Sequence, residues 1–193
     1  MQEPNLSISY EQDLVQAISS LGEDDIKEIL ADVDPVAWTE YHRRLKGKPF
    51  SFNNRNYLLQ PYRDNSKNLI FYKGRQVEMS EFSMNWLLRK LSAHPYTAGI
   101  RAMPRSKQAE NFSKQRLSTC IEASPTIYKW YNEKESALTL RKFTKDALPG
   151  TNDVPYNFYI LGGTRESRKD TVGDAARGMT LDFIVYDERQ VVS

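Results

Sequence analysis

From Gly47-Lys48-Pro49 onward the sequence alternates between short apolar runs of strand character and longer stretches with helical periodicity, with no internal repeat and no low-complexity stretch. Such alternation commits a chain to an α/β fold, in which strands pair side by side and the intervening helices cover the sheet. Leu69-Ile70-Phe71-Tyr72 is the first apolar run and leads into Lys73-Gly74-Arg75-Gln76. Ser80 to Leu91 then carries Phe82, Met84, Trp86, Leu87, Leu88 and Leu91 on a helical period. The spacing predicts strand, turn, helix. Ala98 to Met103 reads as the next strand, Arg105 to Ile121 as a helix, and Ala137 to Phe143 and Tyr156 to Leu161 as strands. A long polar loop containing glycines runs from Gly162 to Gly178 and feeds a last strand, Leu181 to Tyr186. Loops of that length inside compact domains tend to be functional.

The first 46 residues have a different texture. Leu14, Val15, Ala17, Ile18 and Leu21 repeat at helical spacing over Tyr10 to Leu21, and Gly22 follows as a stop. Asp24 and Asp25 start a second helix through Ile26, Ile29, Leu30 and Val33. Asp34-Pro35 then reads as an N-cap with proline at the first helical position of a third, ending near Leu45. Residues 1–34 hold nine acids and one base (Lys27), a net −8, so the remaining residues hold 26 bases and 16 acids, a net +10. The overall charge of +2 hides that division. A basic body suits a polyanionic partner such as nucleic acid, and an excess of this size is equally common on solvated surfaces.

Composition removes several classes. Hydrophobic residues at 39% and charged residues at 27% are too ordinary for a disordered tail, and the 193 residues contain no run of eighteen apolar positions. The N-terminus, MQEPNLSISYEQD, is acidic and polar where a secretory signal would be basic and then apolar. With Cys120 the single cysteine, neither an intrachain disulfide nor a cysteine-based zinc site is available, and His42 and His94 lack ligand spacing. The expected compartment is a reducing cytosol, away from membranes.

Three segments carry chemistry. The turn at residues 73–79 stands between an apolar run and a helix, where backbone N–H groups and a helix N-terminus hold anions. Measured against G-x-x-x-x-G-K-[ST], only Ser80 matches, since Lys73 stands at the first glycine, Glu78 at the second and Met79 at the lysine. Lys73, one residue before Gly74, offers an ammonium from the front of the loop instead. The same pattern serves equally as an ordinary strand-turn-helix. The second segment, Leu181 to Glu188, is an apolar strand ending in Asp187-Glu188. Two adjacent carboxylates at a strand end suit ATP hydrolysis, one holding Mg²⁺ through water and one orienting the attacking water. The third, Tyr57-Leu58-Leu59-Gln60-Pro61-Tyr62-Arg63-Asp64, offers a glutamine amide to the edge of adenine and tyrosines to stack on it, or else an aromatic cap on the core.

Taken in order, Trp38, GKPF (47–50), YLLQPYRD (57–64), LIFYKGRQVEMSE (69–81), AMPRSKQAENFSKQRLSTCIEASP (102–125), ARGMT (176–180) and LDFIVYDE (181–188) make a series. The series resembles the N-terminal ATPase domain of the large terminase subunit of tailed bacteriophages. Its most telling element is a phosphate loop of RQV form with a lysine moved to its front, similar to the deviant Walker A of some terminases. The resemblance implies a P-loop NTPase of the RecA/ASCE-like kind, a three-layer α/β sandwich, with residues 1–46 as an acidic helical segment appended to the ATPase part at 47–193. It implies that Gln60 reads adenine, that Lys73, Gly74, Arg75, Gln76 and Ser80 line the phosphates, and that Ser80 and Asp187 bind Mg²⁺. Glu188 is then the catalytic carboxylate of the Walker B segment, and Arg177 a sensor or stabiliser of phosphate charge. Glu78 departs from the usual glycine, so its side chain is expected to point away from the nucleotide.

The activity implied is ATP hydrolysis driving viral double-stranded DNA into a procapsid. The portal protein and the small terminase subunit would be partners, with self-association into a ring, in the host cytoplasm and transiently at the portal vertex. Ser193 follows Glu188 by five residues, so the expectation is a C-terminally incomplete ATPase domain without a nuclease. A helicase-like DNA-dependent ATPase and a catalytically silent nucleotide- or DNA-binding remnant stand as alternatives.

Overall fold

The computed structural model describes residues 19, 21–71, 78–94, 96–146, 153–162 and 179–186. Two helices open it, α1 (Glu23–Val33) and α2 (Pro35–His42). Between them Asp34 is extended, and its Oδ1 accepts from the Val36 amide at 3.2 Å while Pro35 fills the first position that needs no donor. The predicted helix at Tyr10–Leu21 lies almost wholly outside the described residues. A two-stranded ribbon follows, β1 (Arg44–Leu45) with β2 (Lys48–Pro49), turned by Lys46 at φ 52° and Gly47 at φ 77°. A 3₁₀ turn (Asn56–Leu58) runs into the short α3 (Leu59–Arg63), and α4 spans Met79–Ser92.

The main sheet has four strands: β3 (Thr97–Met103), β4 (Leu140–Lys145), β5 (Val154–Gly162) and β6 (Phe183–Tyr186). Their order is β4-β5-β3-β6, with β3 parallel to both β5 and β6 and with β4 antiparallel to β5. Between β3 and β4 lie α5 (Ser106–Asn111), a π-helical stretch (Phe112–Leu117), α6 (Ser118–Ala123) and α7 (Pro125–Trp130). The outer edge of β4 is closed by the segment before it, through Asn132 N–H to Lys142 O at 2.9 Å and the Tyr131–Phe143 bridge. At the far end, β6 is anchored by a reciprocal pair with Ala98, which donates to Asp182 Oδ2 and accepts from the Asp182 amide, both at 2.8 Å.

The register decides which residues form the core. Thr97, Gly99, Arg101 and Met103 share a face with Tyr156, Phe158 and Ile160 and with Phe183 and Val185. Every described helix packs on this face or on a neighbour that does. Met84, Leu87, Leu88 and Leu91 of α4, Phe112, Leu117 and Ile121 beyond α5, Ile127 and Trp130 of α7, and Trp38 of α2 form one cluster with it. A Cβ on Gly99 would stand 2.7 Å from Leu87 Cδ1, so α4 rests directly on the backbone of β3. The opposite face carries Ala98, Ile100 and Ala102 of β3, all buried, the half-buried Tyr159 and Leu161 of β5, and the exposed Ile184 and Tyr186 of β6. Of the three layers expected, the described residues supply a mixed sheet and one helical layer.

Two further points differ from the sequence reading. Leu69-Ile70-Phe71 is not a strand: Ile70 is 81% exposed and Phe71 packs edge-on against Phe82 at 5.2 Å. An apolar run this short is equally served by one aromatic contact, and that contact decides it here. The stretch 35–42 is built into the body, with Trp38 buried in the core and His42 enclosed by Trp38, Tyr41 and Trp130. Arg43 is also buried, held by Asn85, Glu81 and Ser124. Cys120 is buried in the same core, where burial pushes its thiol up to about 12 and leaves it a packing residue.

Candidate nucleotide site

The N-terminus of α4 is the described part of the expected phosphate loop. Met79 and Ser80 are its first two residues, and Glu78 is the N-cap, at φ 53° and ψ 18°. That left-handed conformation explains the chemistry of the position. It strains a residue with a Cβ and suits glycine, which is the residue that the G-x-x-x-x-G-K-[ST] pattern puts there. Here glutamate adopts it, and the carboxylate is engaged elsewhere. Arg55 grips it with two donors, Nε to Oε2 and Nη2 to Oε1, the latter at 3.0 Å. Arg55 is itself fixed by Nη1 donating to the Ser51 carbonyl at 2.9 Å and by the Phe50 ring 5.3 Å away. The Glu78 carboxylate beside it holds the guanidinium above its ordinary pKa.

A second acid in the first turn of α4, Glu81, is also neutralised. Its Oε2 accepts from Arg43 Nη2 at 3.0 Å, and Arg116 Nη1 approaches Oε1 at 4.0 Å. Arg101, from the middle of β3, reaches the same turn. It is 1% exposed, donates from Nη1 to Ser83 Oγ and to the Ser80 carbonyl, and stacks over the Phe112 ring at 4.2 Å. Both carboxylates at this helix end are thus matched by arginines, and Arg101 adds a further one beneath the turn. Such a turn favours a bound anion, because the helix N-terminus already presents partial positive charge.

An aromatic chain joins this turn to the expected adenine segment. Phe50, Phe52, Tyr62, Phe82 and Phe71 meet edge to face in sequence, at centroid distances of 5.3, 5.0, 4.9 and 5.2 Å. Gln60 is exposed on α3 two residues from Tyr62, whose hydroxyl accepts from Asn85 Nδ2 of α4 at 3.0 Å. Of the two tyrosines expected near a base, Tyr62 is buried in the core and Tyr57 is 54% exposed. Met79 is half-buried and packs on the same aromatic cluster.

Lys73, Gly74, Arg75, Gln76, Arg177, Asp187 and Glu188 lie outside the described residues. For the last two, the strand leading to them is described. Tyr186 is in register with Ala102, the neighbour of Arg101, so β6 ends beside the strand whose arginine touches the first turn of α4. The C-terminal ends of parallel strands are where α/β sheets bind ligands. The structure therefore brings the first turn of α4 and the end of β6 to one end of the sheet, with α3 adjoining through Tyr62 and Phe82.

Sequence reasoning missed Arg101, Arg55, Arg43 and Arg116. Arg101 had a signal, a charge in the middle of the apolar strand Thr97–Met103. Arg55 had none, since its partner is 23 positions away across an irregular segment. A cleft lined by Ser118, Glu122, Tyr128, Tyr131, Glu133 and Arg141 lies elsewhere and shares no residue with these groups. Among the described residues no His, Cys, Asp and Glu cluster fits a metal ion, and no helix is long and apolar enough to cross a membrane. Compared with family models, with curated proteins and with solved structures, the chain matches none.

Proposed function

We propose that the chain is the ATP-hydrolysing part of a motor that drives double-stranded DNA into a phage procapsid, of the large terminase type. The observation that carries this reading is the convergence at one end of the sheet. A helix N-terminus whose carboxylates are both paired to arginines stands beside the strand that leads into Asp187-Glu188. The left-handed conformation at Glu78, the pattern's second glycine position, supports it independently.

In this reading the backbone amides at the start of α4 and the cations Lys73 and Arg75 bind the phosphates, with Gly74 and Gln76 completing the loop. Ser80 fits a metal-ligand role, since it is the second residue of α4, in a turn whose carboxylates are already neutralised. Ser80 and Asp187 would hold Mg²⁺, which when bound neutralises charge between the β- and γ-phosphates. Glu188 accepts a hydrogen bond from the attacking water and aligns it, and Gln60 pairs with the adenine edge from α3. Arg177 is assigned to the developing phosphate charge. The basic body, at net +10 beyond residue 34, grips DNA through its phosphates without reading sequence. The portal protein, the small terminase subunit and further copies in a ring are the partners of such a motor, which works in the host cytoplasm and at the portal vertex.

The test is Mg-ATP binding by calorimetry together with phosphate release with and without double-stranded DNA, for the parent chain and for Glu188→Gln. The expected result is nucleotide binding by both and loss of most turnover in the variant, since the amide keeps the shape and loses the charge that aligns water. A parent chain that binds no Mg-ATP overturns the reading, and undiminished turnover in Glu188→Gln moves the catalytic carboxylate elsewhere.

A further inference from the structure

The cleft between α6, α7 and β4 has a volume of about 310 Å³, at the small end of ligand sites. Arg141 of β4 lines it while only 8% exposed. Its hydrogen-bond partners are all neutral. Nη1 donates to the Tyr131 hydroxyl at 2.8 Å, Nη2 to Ser113 Oγ and Ser118 Oγ at 3.1 Å each, and Nε has no partner among the described residues. Buried charges are ordinarily paired, and Arg43, as deeply buried, is answered by Glu81. No described residue answers the charge of Arg141. The backbone is shaped to this arrangement. Residues five apart in an α-helix stand about 140° apart around the axis, yet Ser113 and Ser118 both reach Nη2. The π-helical stretch Phe112–Leu117 brings them together, and Ser118 Oγ also donates to the Ser113 carbonyl at 3.0 Å. Such π-turns are rare and frequently mark functional sites. The exposed part of the lining has the opposite sign, since Glu122 and Glu133 are both exposed and neither forms an ion pair with a described residue. Tyr128 and Tyr131 add aromatic surface, which suits a cation.

We propose that this cleft binds a basic α-amino acid, of the arginine or lysine kind. The lining sets one arginine against two glutamates, and such a ligand is its complement, with one carboxylate and two cationic groups. The carboxylate meets Arg141 and the Tyr131 hydroxyl, whose own proton goes to no described residue. The α-ammonium and the side-chain cation meet Glu122 and Glu133. Nucleotides and nucleic acids are disfavoured here, because two free carboxylates repel phosphates. The site shares no residue with the candidate nucleotide site and does not depend on the ATP reading.

Titration of the full chain with L-arginine and with L-lysine, followed by backbone amide chemical shifts, tests this. The expected result is saturable binding with a Kd of about 1 mM or tighter, with the shifts centred on residues 118–141. Two probes each lack one feature of lysine: cadaverine has no carboxylate and norleucine no side-chain cation. Both are expected to bind at least about tenfold more weakly than lysine. Glu122→Gln combined with Glu133→Gln, two exposed positions whose change leaves the core intact, is expected to weaken lysine binding about tenfold, and Tyr131→Phe about threefold. A guanidinium that only clips β4 to the helices predicts no such binding, and a parent chain that binds neither amino acid overturns the inference. Cadaverine binding as tightly as lysine overturns it too, because Arg141 then takes no carboxylate. Parent-like binding by the double glutamine variant places the ligand elsewhere and has the same consequence. None of these outcomes bears on Mg-ATP binding, so the two readings fail separately.

Discussion

Asn85 bridges two elements with one amide: its Nδ2 donates to the Tyr62 hydroxyl at 3.0 Å, and its Oδ1 accepts from Arg43 Nε. All three side chains are buried, so the amide satisfies a hydroxyl and a guanidinium that have no access to water. Replacing Asn85 by Leu keeps the volume and strands Arg43 Nε, while the Tyr62 hydroxyl keeps Thr39 as a partner. The expected cost is about 2–4 kcal/mol of stability, most of it from the unpaired Arg43 Nε. Urea denaturation measures it, and a loss under about 1 kcal/mol would mean that Arg43 Nε finds a new acceptor. Because Tyr62 sits on the helix that carries Gln60, the same variant is expected to weaken discrimination between ATP and GTP.

Lys73 and Met79 separate the two sources of a cation that the proposed phosphate loop would need. The residue next to Ser80 is a methionine, half-buried against the aromatic cluster, so it makes packing contacts in place of a charge. Lys73→Ala is expected to weaken Mg-ATP binding and abolish turnover, while Met79→Ala changes either by less than about threefold. Parallel titrations of the two variants with nucleotide check this. Parent-like binding and hydrolysis by Lys73→Ala would remove the lysine from the loop's function and make Arg75 the next residue to replace.

His42 predicts a pH dependence. Burial lowers its pKa to about 3, with Lys145 nearby adding to the effect, and its Nδ1 has no partner among the described residues. The unfolded chain takes up this proton near pH 6.5 and the folded chain does not, so the unfolded state binds more protons between those values. Stability from this residue is complete above about pH 6.5 and falls as pH drops toward about 3, by about 1.4 kcal/mol per pH unit. Urea unfolding between pH 7 and 4.5 should show a slope in the parent that His42→Phe lacks. Equal slopes would mean that His42 protonates within the fold.

The exposed side chains of β6 predict association. Ile184 is 50% exposed and Tyr186 69%, adjoining Tyr159 and Leu161 on the same surface. Exposed apolar side chains on a strand at the edge of the described sheet invite pairing with another molecule. The chain is expected to sediment as more than a monomer at tens of micromolar, and Ile184→Lys with Tyr186→Lys to shift it toward monomer. A parent that stays monomeric would show that this surface is covered.

Periodicity and capping were the most legible signals. Asp34-Pro35 marked a helix start, and the apolar spacing of 80–91 found α4 to within a residue or two, because caps and core faces are local properties of the chain. The strands β3, β5 and β6 were legible for a different reason: flanked by loops, their apolar runs have few other uses. Pairing order was not legible, nor the antiparallel direction of β4, since both depend on partners remote in sequence. Leu69-Ile70-Phe71 was misread because nothing local distinguishes a core strand from an irregular segment with one good aromatic neighbour. At the candidate site, Ser80 was legible as the residue beginning a helix after a loop. The arginines that neutralise Glu78 and Glu81 were not, because a salt bridge between an irregular segment and a helix leaves no periodic trace.

The anchoring of β6 to β3 joins Ala98 to Asp182, which are 84 residues apart. By contrast, β4 and β5 are joined by a short connection and β4 is closed on its outer side by the segment just before it. Loop-closure entropy makes the second arrangement early and the first late, so β6 adds to a sheet that has already formed. Four residues long and bonded along one side only among the described residues, it is also the strand whose amides exchange soonest with solvent. On this order a nascent chain forms the β4-β5-β3 part of its sheet first, and β6 is the last described strand to come into place.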